Sequence, residues 1–277
     1  MPSPWQSGDI EADGTRIHYT RTGGDRPPIV LIHGVTDDGL CWTPVAQAQA
    51  PDYDVIMIDS RGHGRSEATE SGYDPATQAS DHHGVIAALK LENPILLGHS
   101  LGAITSLALA SLYPETPRAI LLEDPPPFWM PRPEPDASRE ERPARGSWLD
   151  DLKGKTREEL IAEAREQNPT WSEAEVGPWA DAKLRFDPQI AAVFSAQGRD
   201  LDWQATLPQI TCPALAMTAD TKKGSALTPE AAAALQERVP HLELTHIPGA
   251  GHNVRREQFE RYMQIVRGFL LKIGGTD

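Results

Sequence analysis

An α/β fold built on a mostly parallel central sheet is predicted by three features of the sequence. Short apolar runs at residues 28–32, 53–58, 94–97, 119–122, 214–217 and 242–247 are nearly continuous in hydrophobicity, the pattern of strands covered by helices on both faces. Helix-length stretches at 77–91, 101–113, 229–239 and 258–272 alternate with them, which implies right-handed β-α-β crossovers. The chain has 277 residues, enough for one large α/β domain with an insertion and for a core that needs no disulfides.

The elements follow in order. Residues 8–21, centred on Asp13-Gly14, form a hairpin leading into the sheet. The strand at 28–32 runs into His33-Gly34-Val35-Thr36, where Gly34 lets the backbone approach a reacting carbonyl, His33 braces the loop and the Val35 N–H is a candidate oxyanion donor. Asp59-Ser60-Arg61-Gly62-His63-Gly64-Arg65-Ser66 reads as a scaffold turn. Between the strand at 94–97 and the helix at 101–113 lies Gly98-His99-Ser100-Leu101-Gly102-Ala103. That segment is a nucleophile elbow: a serine on a sharp strand-to-helix turn, with small residues where strand and helix approach each other. The turn also aims the Leu101 N–H, at the helix start, toward the negative charge that develops in acyl transfer.

From 125 to 207 the character changes. Pro125, Pro126, Pro127, Pro131, Pro133 and Pro135 exclude a regular helix or central strand, and residues 138–145 are charged. Helix-like stretches follow at 156–167, 172–186 and 188–197. This is read as an insertion that folds over the core, entered through a proline-rich arm. Trp129, with Phe128 and Met130 beside it, is expected to line an apolar substrate pocket, and Trp171 and Trp179 belong to the same segment.

Composition narrows the function classes. A formal net charge of −14 disfavours nucleic acid and anionic membrane surfaces as partners and leaves a small-molecule substrate, with the chain a monomer or homodimer. There is no basic start followed by an apolar stretch, and no run approaching the ~20 apolar residues of a membrane span, so a cytoplasmic location is expected. The two cysteines, Cys41 and Cys212, are far apart and lack metal-type spacing, which suggests a reducing compartment and buried apolar roles. No metal or organic cofactor is implied.

A serine hydroxyl is a poor nucleophile at neutral pH and needs a base held in a fixed orientation. His252 is the candidate: Pro248-Gly249-Ala250-Gly251-His252-Asn253 is a small-residue loop after the last strand, able to carry an imidazole over the carboxyl ends of the strands.

His33-Gly34, Asp59-x-Arg61-Gly62-His63-Gly64-x-Ser66, Gly98-x-Ser100-x-Gly102 and Gly251-His252, in that order, resemble the α/β-hydrolase superfamily over nearly the whole chain. The resemblance implies an α/β-hydrolase core at 1–124 and 208–277. A helical cap at 125–207 is inserted after the strand that follows the elbow helix. It also implies Ser100 as nucleophile, His252 as base, and the N–H groups of Val35 and Leu101 as the oxyanion hole. Serine rather than aspartate at 100 departs from the dehalogenases and epoxide hydrolases of this fold. The acid has two candidates. Superfamily members usually carry it after the penultimate strand, where Asp220 is slightly out of register and Lys222 stands at the expected position. Asp124, at the carboxyl end of the strand at 119–122, is the alternative used by some branches, and it is preferred.

The expected activity is hydrolysis of a small to medium, fairly apolar ester or lactone through an acyl-enzyme. Its rivals are a carbon–carbon bond hydrolase of the ring-cleavage type, a low-turnover ligand receptor, and a cofactor-free oxygenase on the same fold.

Overall fold

A computed structural model describes residues 5–131, 148–195 and 199–274. Pro133, Pro135, the charged stretch at 138–145 and the end of the predicted helix at 188–197 lie outside the described residues. Strands β1 (Gln6–Ala12), β2 (Thr15–Arg21), β3 (Pro28–Ile32), β4 (Asp54–Ile58), β5 (Ile95–His99), β6 (Ala119–Glu123), β7 (Ala214–Thr218) and β8 (Leu242–His246) form one sheet, in the order β1-β2-β4-β3-β5-β6-β7-β8. The first two make the predicted hairpin and β2 pairs antiparallel with β4; every later neighbour is parallel. Asp13 (φ 50) and Gly14 (φ 74) both take left-handed angles, as a two-residue hairpin turn of this hand requires.

The helices are α1 (Thr43–Gln49), α2 (Pro75–Ala88), α3 (Leu101–Leu112), α4 (Trp148–Lys153), α5 (Arg157–Gln167), α6 (Glu173–Arg185), α7 (Trp203–Thr206), α8 (Pro229–Arg238), α9 (Val254–Glu257) and α10 (Phe259–Gly274). Alternation along β3 divides the core: Val30 and Ile32 pack with α2, α3 and α8, while Ile29 and Leu31 pack with α1 and α10 on the opposite face. Helix α2 begins at Pro75 rather than 77, because Asp74 accepts from the Thr77 N–H at 2.9 Å and Pro75 suits the first helical position. Residues 188–194 form a 3-10 helix instead of the predicted α-helix. Its buried Ile190 and Val193 stand three apart, so the tighter three-residue turn puts both into one cluster with Tyr73 and Leu101.

Between β6 and β7, α5 opens with a capping box from Thr156 and Glu159, and Ala164, Trp171 and Val176 form a small core between α5 and α6. Helix α6 crosses the region of α1, at the carboxyl ends of β3 and β4. Among the described residues no helix is long and apolar enough to cross a membrane.

Strand β5 and helix α3 meet with no room for side chains. A Cβ at Gly98 would collide with the Gly102 carbonyl, and one at Gly102 with the Ile32 carbonyl. Backbone cannot retreat as a flexible side chain can, so overpacking here is relieved only by moving β3 or α3. Gly102→Ala is expected to destabilise the protein by about 1–3 kcal/mol despite the better helix propensity of alanine, read as a lower urea midpoint with an unchanged m-value.

Candidate active site

The β5-to-α3 turn puts Ser100 at φ 52, ψ −115, a conformation that non-glycine residues rarely adopt, and its N–H is fixed by the Glu123 carbonyl at 2.9 Å. The turn lifts the hydroxyl off the end of the sheet. Ser100 Oγ lies 2.9 Å from Nε2 of His252, and Nδ1 of His252 lies 2.6 Å from Asp124 Oδ2. An ionised carboxylate only accepts, so Nδ1 carries the proton and Nε2 presents its lone pair to the serine hydroxyl.

Asp124 follows β6 at φ 44 and is fully buried. Its carboxylate is saturated with donors: Oδ1 accepts from Ser225 Oγ at 2.6 Å and Leu227 N at 3.0 Å, and Oδ2 accepts from Ala226 N at 2.8 Å besides the imidazole. Asp220 is elsewhere. It accepts from Gly249 N at 2.8 Å and faces His246 Nε2 at 3.0 Å. The loop after β7, the usual place of the acid, therefore supplies Ser225, Ala226 and Leu227 as donors to an acid standing one strand away. These were not singled out in the sequence; the signal was a run of small residues just before the Thr228 cap of α8.

The His252 loop is held through its backbone. Glu257 accepts from Gly251 N at 2.9 Å and Asn253 N at 3.3 Å, and His99 Nε2 donates to the His252 carbonyl at 2.9 Å. Gly34 leaves no room for a side chain beside the serine, since a Cβ there would lie 2.9 Å from His99 Nδ1 and 3.2 Å from Ser100 Cβ. Neither the Val35 N–H nor the Leu101 N–H donates to a protein acceptor among the described residues, and both residues line the cavity above Ser100.

That cavity measures about 1120 Å³. Its aromatic wall comes from Phe128, Trp148, Trp179 and Phe194, and Arg199 stacks on Phe128 with 4.1 Å between guanidinium and ring centre. Trp129 is not part of it, which corrects the sequence expectation. It is only 4% exposed, packs in the core and donates its indole N–H to the Ala231 carbonyl at 3.0 Å. An indole whose N–H meets a backbone acceptor beside α8 is fixed on the sheet side of the chain, and Phe128 takes the pocket position. Trp171 likewise packs inside the α5–α6 core, with Arg256 over its ring. Cys41 and Cys212 are buried free thiols, both pushed up in pKa by burial, Cys212 to about 11. Among the described residues no group of His, Cys, Asp or Glu side chains is arranged to hold a metal ion.

A profile of the alpha/beta hydrolase family matches residues 29–264. The chain is 27% identical over 266 residues to N-formylmaleamate deformylase of Pseudomonas putida, covering 95% of this chain and 96% of that one. It is 30% identical over 259 residues to 2-(acetamidomethylene)succinate hydrolase of Mesorhizobium japonicum, covering 90% of each. The crystal structure of the N-formylmaleamic acid deformylase of Pseudomonas putida S16 superposes with a TM-score of 0.75 at 25% identity, over 94% of this chain and all of that one.

Behind the site stands a set of buried neutral histidines. His33 Nδ1 donates to the Gly34 carbonyl at 2.8 Å while its Nε2 accepts from Ser60 N at 3.0 Å. Burial lowers His33 to about 4, and His63 and His82 to about 3. The unfolded chain takes up these protons near pH 6.5 and the folded protein does not, so stability is full above about pH 6.5 and declines as pH falls below it. Asp59, raised by burial to about 6, opposes this, as do Asp38, Asp81 and Glu123, whose carboxyls burial also raises, while His99 is held low by burial like the other histidines. Urea unfolding at pH 7.5 and pH 5 is expected to show a lower free energy at the acid value, by up to about 2 kcal/mol for each histidine.

Proposed function

The chain belongs to the alpha/beta hydrolase family, and on that premise we propose that it is a serine hydrolase using Ser100, His252 and Asp124 on a small carboxylic ester or lactone. The observation that carries the reading is the hydrogen-bonded line from Ser100 Oγ through His252 to Asp124, with distances of 2.9 and 2.6 Å, at the floor of a partly apolar cavity. Ser100 Oγ attacks the carbonyl carbon as its proton passes to His252 Nε2. The oxygen of the tetrahedral intermediate takes the negative charge beside the N–H groups of Val35 and Leu101. Collapse expels the alcohol, which leaves with the proton from His252. Water then attacks the acyl-enzyme, gives a proton to the same nitrogen and releases the acid, and Ser100 recovers its proton. Asp124 holds the imidazole tautomer and stabilises its cation in both halves. The described residues between β6 and β7 act as a cap, with Phe128, Trp148, Trp179 and Phe194 shaping the acyl and leaving-group space.

A second reading keeps the same machinery and cleaves an acyl–nitrogen bond. It is favoured by the two relatives, which are named for N-formylmaleamate and 2-(acetamidomethylene)succinate, both N-acyl compounds that bear a carboxylate. Parallel assays on p-nitrophenyl butyrate and on an N-acetyl enamide bearing a carboxylate separate the two by the ratio of kcat/KM.

Ser100→Ala is expected to lower kcat/KM on the preferred substrate by about 10⁴-fold or more in a folded protein. Asp124→Asn should cost about 10⁴-fold, because the amide can hold the wrong imidazole tautomer, while Asp220→Asn should change it by less than about threefold. Wild-type turnover by folded Ser100→Ala would overturn the serine mechanism. A severe Asp220→Asn beside a mild Asp124→Asn would move the acid.

A further inference from the structure

The loop that carries Val35 is held from α6 as well as from the sheet. Val35 N–H and the Gly34 carbonyl belong to one planar trans peptide and point in opposite directions, so fixing the carbonyl aims the N–H. Two donors fix it: His33 Nδ1 at 2.8 Å and the Asp37 N–H at 3.1 Å. Between Val35 and Asp37 sits Thr36 at φ 66, a strained setting for a β-branched residue that persists only where its surroundings impose it. Lys183 of α6 bears on this segment directly: its ammonium donates to the Thr36 carbonyl at 3.2 Å and to Asp37 Oδ1 at 2.7 Å. Lys183 is 3% exposed, so water does not substitute for either contact.

We propose that Lys183 is a positioning residue for the oxyanion hole: seating α6 on the core brings its ammonium onto Thr36 and Asp37 and thereby sets the Val35 N–H. The inference rests on Val35 being an oxyanion donor in the serine-hydrolase reading above. It makes the inserted helices part of the chemistry, and not only of substrate selection. A substrate too small to touch the aromatic wall still depends on them.

The test compares Lys183→Met with Arg185→Gln. Arg185 lies on the same helix and pairs with Asp38, 2.6 Å between Nη2 and Oδ2, so it shares the docking role without reaching Thr36. Both variants are assayed on p-nitrophenyl acetate and titrated with phenylboronic acid, whose serine adduct is tetrahedral and anionic. Lys183→Met is expected to lose about 10–100-fold in kcat with KM changed less than about twofold, and to bind the boronic acid weaker by a similar factor. Arg185→Gln is expected to stay within about twofold of wild type on both readings. A rise in KM alone, or equal losses in both variants, would overturn the proposal in favour of plain helix docking. Should Lys183→Met not fold, Lys183→Gln replaces it under the same criteria. A wild-type protein that neither hydrolyses the ester nor takes a fluorophosphonate label removes the underlying serine reading. A reactive wild type with an unaffected Lys183→Met removes only this inference.

Discussion

Asp37 is the buried charge around which the rim of the sheet is assembled. One carboxylate faces three cations: Lys183 at 2.7 Å, Arg256 at 2.8 Å and Arg255 at 3.5 Å. Burial alone would raise its pKa, but Arg256, Lys183 and Arg255 outweigh that and hold it well below the usual carboxylate range. The set extends to Asp38 with Arg185, Glu123 with Arg255, and Glu175 with Arg256. Removing such charges from water is expensive, and pairing them offsets that cost. The network therefore favours a single seating of α6 and α9 against the loop after β3. Because Arg255 also donates its backbone N–H to Glu123 at 2.9 Å, the same seating fixes the chain just beyond His252.

Strain is concentrated where the side chains must converge. Thr36, Ser100 and Asp124 each follow the carboxyl end of a parallel strand and each has positive φ. Such conformations cost on the order of 1–3 kcal/mol apiece and need surroundings that over-determine them. Neighbouring strands provide part of this, the Ser100 N–H bonding to Glu123 and the Asp124 N–H to Met217 across the sheet. Turning the chain sharply at these points lifts a hydroxyl and a carboxylate above the same edge, one strand apart, with the imidazole from the loop after β8 between them.

The position of Asp124 has an electrostatic logic of its own. A fully buried carboxylate needs donors for most of its lone pairs, and the segment 225–227 wraps it with one hydroxyl and two N–H groups. Asp220 cannot take its place without leaving the Gly249 N–H and His246. The loop that holds an acid in many related folds has instead become the cradle for an acid on the adjacent strand.

Much of this was legible in the sequence. Continuous apolar runs marked β3 to β8 because strands covered on both faces have no polar side to show, and the Asp13-Gly14 hairpin followed from the left-handed angles its turn demands. Gly98, Ser100 and Gly102 announced the elbow because close backbone approach tolerates no Cβ. Local pattern carries that kind of information. It did not carry the fate of Trp129, whose indole could equally have faced a pocket or the Ala231 carbonyl. Nor did it single out Asp37, Lys183, Arg255 and Arg256, which read along the chain as ordinary surface charges. The sequence by itself determined the sheet, the elbow and the places of Ser100 and His252 in loops at the carboxyl ends of the strands, since these depend on backbone sterics and short-range periodicity. Tertiary structure alone decided which aspartate meets His252, which aromatics face the cavity, and that α6 is ion-paired to the loop beside Val35. Those outcomes depend on groups far apart in sequence, up to 219 residues for Asp37 and Arg256, and on charges that become strong partners only once folding has removed the water between them.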